Sequence, residues 1–153
     1  MGVVSNNAFR ACQYLQSTLS KKVTRTIFGT YDIRGRVPHD FTIDDALIIS
    51  RAILSYFQQQ DPTLSAIVVG RDGRTSSKAI IAQVKKAAAE CGIAVHDLGL
   101  CASPTLYHAL HTGPIDSGMM ITASHNPAEY NGFKIRLHRE PVWGEQLQRV
   151  LAL

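Results

Sequence analysis

Gly118-Met119-Met120-Ile121-Thr122-Ala123-Ser124-His125-Asn126-Pro127 is a short apolar run that ends in small and polar residues. Met119 to Ile121 is long enough for a buried strand. Asn126-Pro127 signals a turn, because proline fixes its own φ and pushes Asn126 out of the helical region. A hydroxyl, an imidazole and a carboxamide are therefore presented together on a loop just past a strand end. Downstream, Tyr130-Asn131-Gly132-Phe133-Lys134 reads as a second turn at Asn131-Gly132 and a returning strand. In that strand Phe133, Ile135 and Leu137 share one face, and Lys134 projects to the other, near the loop. Taken alone, Ser124-His125-Asn126 reads equally well as an ordinary polar loop.

Working back from this run, Asp116 and Ser117 lead into the strand, and Thr105 to His111 form a short helix. Pro104 suits the first position of that helix. His108 and His111 lie three apart on it, but no third metal ligand accompanies them, which favours a structural or surface role. Ile93 to Leu98 is a strand. Ser77 to Cys91 is a helix whose apolar face holds Ile80, Ile81, Val84, Ala87, Ala88 and Cys91, and Gly92 stops it. Ala66 to Val69 is continuously apolar, as in a strand covered on both sides. It runs into Gly70-Arg71-Asp72-Gly73-Arg74, an anion-facing loop in outline. The lysine of a P-loop is missing, and Asp72 gives both arginines an internal partner, so a self-paired structural loop is the plainer reading. Thr42 caps a helix with Asp45 three residues on, and Asp61-Pro62 ends it.

Further upstream, Phe28-Gly29-Thr30-Tyr31-Asp32-Ile33-Arg34-Gly35 places Arg34 between an apolar residue and a glycine. A guanidinium there can reach into a cleft and fork onto phosphate; a surface arginine in a turn fits the residues as well. Residues 1–25 read as an appended arm with Phe9, Cys12 and Leu15 in a weak stripe. At the other end, Pro141-Val142-Trp143-Gly144-Glu145 opens a helix. The alternation of helix and strand sets the class as α/β: a three-layer α/β/α domain over 26–153 with a mixed, largely parallel sheet. Ligands gather at the carboxyl ends of such strands, so the Gly70 and Ser124 loops are expected to share one mouth.

Composition narrows the partners. With 153 residues, 45% hydrophobic and 18% charged, the chain is sized and composed as one globular domain. A net charge of +4 without a dense basic tract argues against nucleic acid and suits a small anion such as a phosphate ester. Cys12, Cys91 and Cys101 match no metal spacing and read as reduced thiols. No apolar run reaches membrane-spanning length and no signal pattern opens the chain, so a cytoplasmic location without membrane association is expected.

These pieces together resemble the first domain of the α-D-phosphohexomutases, in particular the bacterial phosphomannomutase/phosphoglucomutase branch. The matching residues are Phe28 to Gly35, Val69 to Arg74, Ser103-Pro104-Thr105-Leu106-Tyr107, Thr122 to Pro127, and Tyr130 to Lys134, in the family's order. The resemblance implies that Ser124 carries a phosphoryl group. It would give that group to a hexose phosphate, form a hexose 1,6-bisphosphate, and take back the other phosphate, interconverting 1- and 6-phosphates. It implies Mg²⁺, with Ser124 a metal ligand through its phosphate and the remaining ligands on a second domain. Ser124, His125, Arg34 and Lys134 would be catalytic, with Tyr31, Arg34, Asn126 and Lys134 binding substrate. Family enzymes have four domains, and the chain matches only the first. Negligible turnover by this chain alone is therefore expected, as is association through surface that further domains would cover. A non-catalytic module of the same fold, holding a phosphosugar or partner, is the alternative. A serine hydrolase is disfavoured, because adjacent Ser124 and His125 are expected to be poorly placed for a base-to-nucleophile hydrogen bond and the Gly-x-Ser-x-Gly elbow is missing.

Overall fold

The computed structural model describes residues 23–153. The expected arm over 1–25, with Phe9, Cys12 and Leu15, lies outside the described residues up to Lys22. Six strands form one sheet: β1 (Ile33–Arg36), β2 (Ala66–Arg71), β3 (Ala94–Leu100), β4 (Gly118–Ile121), β5 (Tyr130–Leu137) and β6 (Glu140–Pro141). The helices are α1 (Ile43–Gln60), α2 (Ser77–Glu90), α3 (Ser103–Thr112) and α4 (Glu145–Leu151).

The sheet order is β1-β5-β4-β2-β3, with β6 paired to β5. β2 runs parallel to both β3 and β4, which gives the sheet its parallel core. β5 returns antiparallel against β4 and β1, so the mixed α/β/α reading holds. The strand alternation divides the core in two. Ile67, Val69, Met119, Ile121, Phe133 and Ile135 face α1, α2 and α4. Val68 and Met120 face Leu106 and Leu110 of α3 on the other side.

Local chemistry accounts for the elements. The Thr42 hydroxyl accepts from the Asp45 amide at 3.1 Å while the Asp45 carboxylate accepts from the Thr42 amide at 2.8 Å, a complete capping box on α1. Arg51 of α1 forks onto Glu90 of α2 with bonds of 2.7 and 2.9 Å, tying the two helices. Leu137 pairs with Glu140 across a two-residue turn, and both turn residues, His138 and Arg139, take the left-handed conformation of a tight hairpin.

Two expectations are corrected here. Asn131-Gly132 is not a turn but the second and third residues of β5. The chain turns earlier, where the Tyr130 amide donates to the Pro127 carbonyl at 3.0 Å. Gly132 serves close packing of strands instead: a Cβ there would sit 2.1 Å from the Ile33 carbonyl oxygen of β1. Asn131 is fully buried and donates to the hydroxyls of Ser76 and Ser77 at 2.8 and 2.9 Å, which consumes its side chain in the interior. Cys91 is disulfide-bonded, so the reading of three reduced thiols fails there; Cys101 is a free thiol.

Candidate active site

The register of the sheet assembles the site. Arg34 of β1 pairs with Gly132 of β5, and Met120 of β4 pairs with Lys134. Paired residues share a face, and side chains two apart on a strand do too. Arg34 and Lys134 therefore stand on the α3 face of the sheet, side by side beyond the part that α3 covers. Gly132 between them has no side chain to obstruct either.

Asp32, just before β1, joins the two cations. Its Oδ2 accepts from Arg34 Nη2 in a short ion pair and lies 3.4 Å from Lys134 Nζ. Arg34 Nη1 donates to Asn126 Oδ1 at 2.5 Å, which ties β1 to the loop after β4. Its Nε is buried and has no hydrogen-bond partner among the described residues. A buried donor without a partner is uncommon enough to need a reason, and a bound anion would supply one.

Ser124 lies three residues past the end of β4, exposed, with φ of 57°. A non-glycine residue rarely takes this left-handed conformation, and such strain gathers at functional sites. Its amide donates to the Thr122 hydroxyl at 3.0 Å, and its Oγ lies 3.3 Å from His125 Nδ1. The expectation that these neighbours would be poorly placed to meet is thus corrected: the strained backbone turns both side chains to the same side. Arg74 holds the loop from below, donating to the carbonyls of Ser124 and Asn126 at 3.0 and 2.8 Å. The Gly70 and Ser124 loops do share one mouth, because β2 and β4 are parallel neighbours.

The chain belongs to the phosphoglucomutase/phosphomannomutase family. Residues 25–148 match the profile described as phosphoglucomutase/phosphomannomutase, alpha/beta/alpha domain I. The chain is 40% identical over 131 residues to the phosphoglucomutase of Neisseria gonorrhoeae, covering 86% of this chain and 28% of that protein. It is 41% identical over 124 residues to the phosphomannomutase/phosphoglucomutase of Pseudomonas aeruginosa, covering 80% of this chain and 26% of that one. The crystal structure of a family protein from Burkholderia thailandensis superposes with a TM-score of 0.75 at 33% identity, over 85% of this chain and 30% of that one. The chain thus spans between a quarter and a third of the length of these relatives.

Within this family domain, Tyr31 stands apart from the hydrogen-bonded group. It is 72% exposed and stacks on the half-exposed Trp143, with ring centroids 6.2 Å apart. The pair borders an open groove of about 390 Å³ whose wall also includes Lys134, Tyr107 and Arg136. Arg136 lies over the Tyr107 ring at 3.9 Å, so its charge is partly engaged.

Sequence reasoning missed three participants. Asp32 sits in the quoted Tyr31 to Arg34 run, two residues from Arg34, where an extended chain puts both side chains on one side; that spacing was the available signal for their ion pair. Trp143 had only its size to mark it. Arg74 was read as paired within its own loop. That pairing exists, through Nε to Asp72 at 2.9 Å, but it uses one donor of five. Asp72 is pushed up by burial and pulled down further by hydrogen bonds from Ser77, Thr122 and Arg74, ending below the ordinary aspartate value. Among the described residues no cluster of three His, Cys, Asp or Glu is arranged to hold a metal ion. None of the described helices is long and apolar enough to cross a membrane.

Proposed function

We propose that this chain is the phosphoserine-bearing domain of a phosphohexomutase, a cytoplasmic enzyme interconverting hexose 1-phosphate and hexose 6-phosphate. The observation that carries the reading is Ser124 itself, an exposed hydroxyl held at a strained backbone angle with His125 Nδ1 3.3 Å from its Oγ, on a loop that Arg34 reaches through Asn126. In the first half-reaction a sugar hydroxyl attacks the phosphorus on Ser124. The new P–O bond forms to the sugar, the P–Oγ bond breaks, the sugar hydroxyl releases its proton to solvent, and Oγ leaves needing one. His125 Nδ1, 3.3 Å from Oγ, is placed to give one. The hexose 1,6-bisphosphate then turns over, and its other phosphate returns to Oγ by the reverse sequence.

Phosphoryl transfer asks mainly for positioning and for positive charge against the transferring oxygens. Arg34, with its Nε uncommitted, and Lys134 supply that charge; Asn126 sets where Arg34 points. Tyr31 offers an exposed ring beside Lys134 for the sugar. Mg²⁺ would neutralise phosphoryl charge when bound. A phosphoryl oxygen on Ser124 is a suitable hard ligand, but it is one of the six or so that the ion takes. The other ligands would come from outside the described residues, so repeated mutase turnover by this chain alone is negligible, whereas a single, slow and stoichiometric uptake of phosphate by Ser124 needs only the residues already named.

Phosphopeptide mapping tests the reading. The protein as isolated, and again after incubation with hexose 1,6-bisphosphate and Mg²⁺, should carry phosphate on the Ser124 peptide and not in Ser124→Ala. Tight binding of a hexose phosphate with Ser124 never phosphorylated would replace the carrier with the binding-module alternative.

A further inference from the structure

We infer that Arg74 is a positioning residue which, through a single guanidinium, fixes the strained backbone of the Ser124 loop. This rests on the reading of Ser124 as phosphoryl carrier. Five donor bonds leave the Arg74 side chain, the full capacity of a guanidinium. Nη1 donates to the carbonyls of Pro127 and Tyr130 at 2.5 and 2.9 Å. Nη2 donates to those of Ser124 and Asn126 at 3.0 and 2.8 Å, and Nε to Asp72 Oδ2 at 2.9 Å.

The four carbonyls belong to one turn of chain and converge on one planar fork. Drawing the Ser124 carbonyl inward sends its side chain outward, where the hydroxyl is exposed. It also sets the carbonyl of Asn126, the residue that receives Arg34. One largely covered cation thus fixes both ends of the candidate site through backbone carbonyls.

The fork is itself anchored. Asp72 Oδ1 accepts from the Arg74 amide at 3.1 Å and from Ser77 Oγ at 2.7 Å, at the start of α2. Ser77 Oγ in turn accepts from the buried Asn131 of β5 at 2.9 Å. The Arg74 side chain is only 12% exposed. A lysine in its place has three donors in a tetrahedral array and cannot address four carbonyls and a carboxylate at once.

Three measurements decide the matter. In the wild-type chain, nuclear magnetic resonance of the Arg74 guanidinium should resolve separate Nη1 and Nη2 proton signals, because five bonds stop rotation; one averaged signal would overturn the inference. In Arg74→Lys, amide exchange at Ser124, Asn126 and Tyr130 should quicken by about tenfold or more while core amides of Met119 and Ile53 hold their rates. Unchanged loop amides would equally overturn it. If Arg74→Lys does not fold, the wild-type guanidinium spectrum is sufficient to sustain or overturn the clamp.

The third measurement is phosphoryl uptake by Ser124 from hexose 1,6-bisphosphate. Its saturating rate should fall about 100-fold in Arg74→Lys with the half-saturating donor concentration unchanged, as misplacement predicts. A rise in that concentration at constant rate would instead make Arg74 a binding group and overturn the positioning role. Should the wild type accept no phosphoryl group, the carrier reading fails, while the two resonance measurements still judge the clamp.

Discussion

Arg34 Nη1 donates to Asn126 Oδ1 at 2.5 Å, joining the first strand to the serine loop across 92 residues of chain. The contact aims a cation of β1 at the loop that carries Ser124, and it leaves Arg34 Nε uncommitted. Losing a preorganised donor at a phosphoryl-transfer site costs about 100-fold or more in rate. Arg34→Lys should therefore slow phosphate uptake by Ser124 to that degree. Asn126→Ala, which removes only the aim, should slow it by about tenfold. Stopped-flow or quench assays with hexose 1,6-bisphosphate measure both; an Asn126 variant slower than the Arg34 variant would mean that the carboxamide acts on the phosphoryl group directly.

Asp32 offers a sharper separation of binding from chemistry. Its carboxylate lies between Arg34 and Lys134 and offsets part of their charge. Asp32→Asn keeps the shape and removes the negative charge. Affinity for inorganic phosphate should rise, because two cations are left with less opposition, while phosphoryl uptake should fall about tenfold as both side chains lose their anchor. Isothermal titration gives the first quantity and the uptake assay the second. Weaker phosphate binding in Asp32→Asn would show that the carboxylate's positioning outweighs its charge.

Gly132 links the fold to the site. Any Cβ there meets the Ile33 carbonyl at 2.1 Å, and backbone cannot step aside as a flexible side chain would. Gly132→Ala must push β1 away from β5, and β1 carries Arg34. A loss of about 3 kcal/mol or more in urea denaturation is expected, in the range reserved for disrupted cores and backbone clashes. Gly118→Ala, with a contact of 2.0 Å to the Val68 carbonyl, should behave alike in β4. Near-wild-type stability for either would mean that the strands sit further apart.

Much of this was legible in the chain. Apolar periodicity and Thr42-Asp45 marked α1, and the apolar runs of β2 and β4 stopped where the loops of the candidate site begin. The Asn131-Gly132 pair misled because the same dipeptide that favours a turn also suits a crowded strand, and only the neighbouring strand's carbonyl distinguishes them. The partnership of Arg34 with Lys134 depends on register between β1 and β5, residues about a hundred positions apart, which no local pattern encodes. Arg74 was hidden for the same reason. Its carbonyl acceptors are backbone atoms, so the residue types of the Ser124 loop give no sign of them.

Acid should loosen the domain in a defined window. Asp40 is held down to about 2 by hydrogen bonds from Arg36, and Glu90 is lowered by its fork from Arg51. For Asp72 burial pushes upward, but its hydrogen bonds prevail. Carboxylates with depressed folded-state values bind fewer protons than in the unfolded chain, so stability rises with pH across their range. Their contribution is complete above the ordinary values near 3.8 and 4.5 and is lost as pH falls through the folded ones. Melting temperature should hold steady from neutrality to about pH 5 and then decline toward pH 2. In Glu90→Gln the decline should be shallower, starting from a lower plateau, since Arg51 is left buried without its anion. An unchanged slope in that variant would remove the helix-to-helix ion pair from the causes of acid instability.

The strain at Ser124 permits a test that sets stability against function. At φ of 57° a side chain costs about 1–2 kcal/mol that glycine avoids. Glycine also loses more chain entropy on folding, roughly 0.5–1 kcal/mol, so the net gain is smaller than the strain. Ser124→Gly should nonetheless melt above Ser124→Ala by a few degrees, since about 1 kcal/mol corresponds to roughly 2–5 °C in a domain of this size. The Arg74 contact is to the backbone carbonyl and survives either change. Both variants lack the hydroxyl and should take up no phosphate. The natural serine would then be a residue kept at the expense of stability, as expected where chemistry and not packing selects it. Equal melting temperatures for the glycine and alanine variants would mean that the left-handed angle relaxes once the side chain is shortened, and that Ser124 itself, through its hydroxyl and His125, helps to hold it.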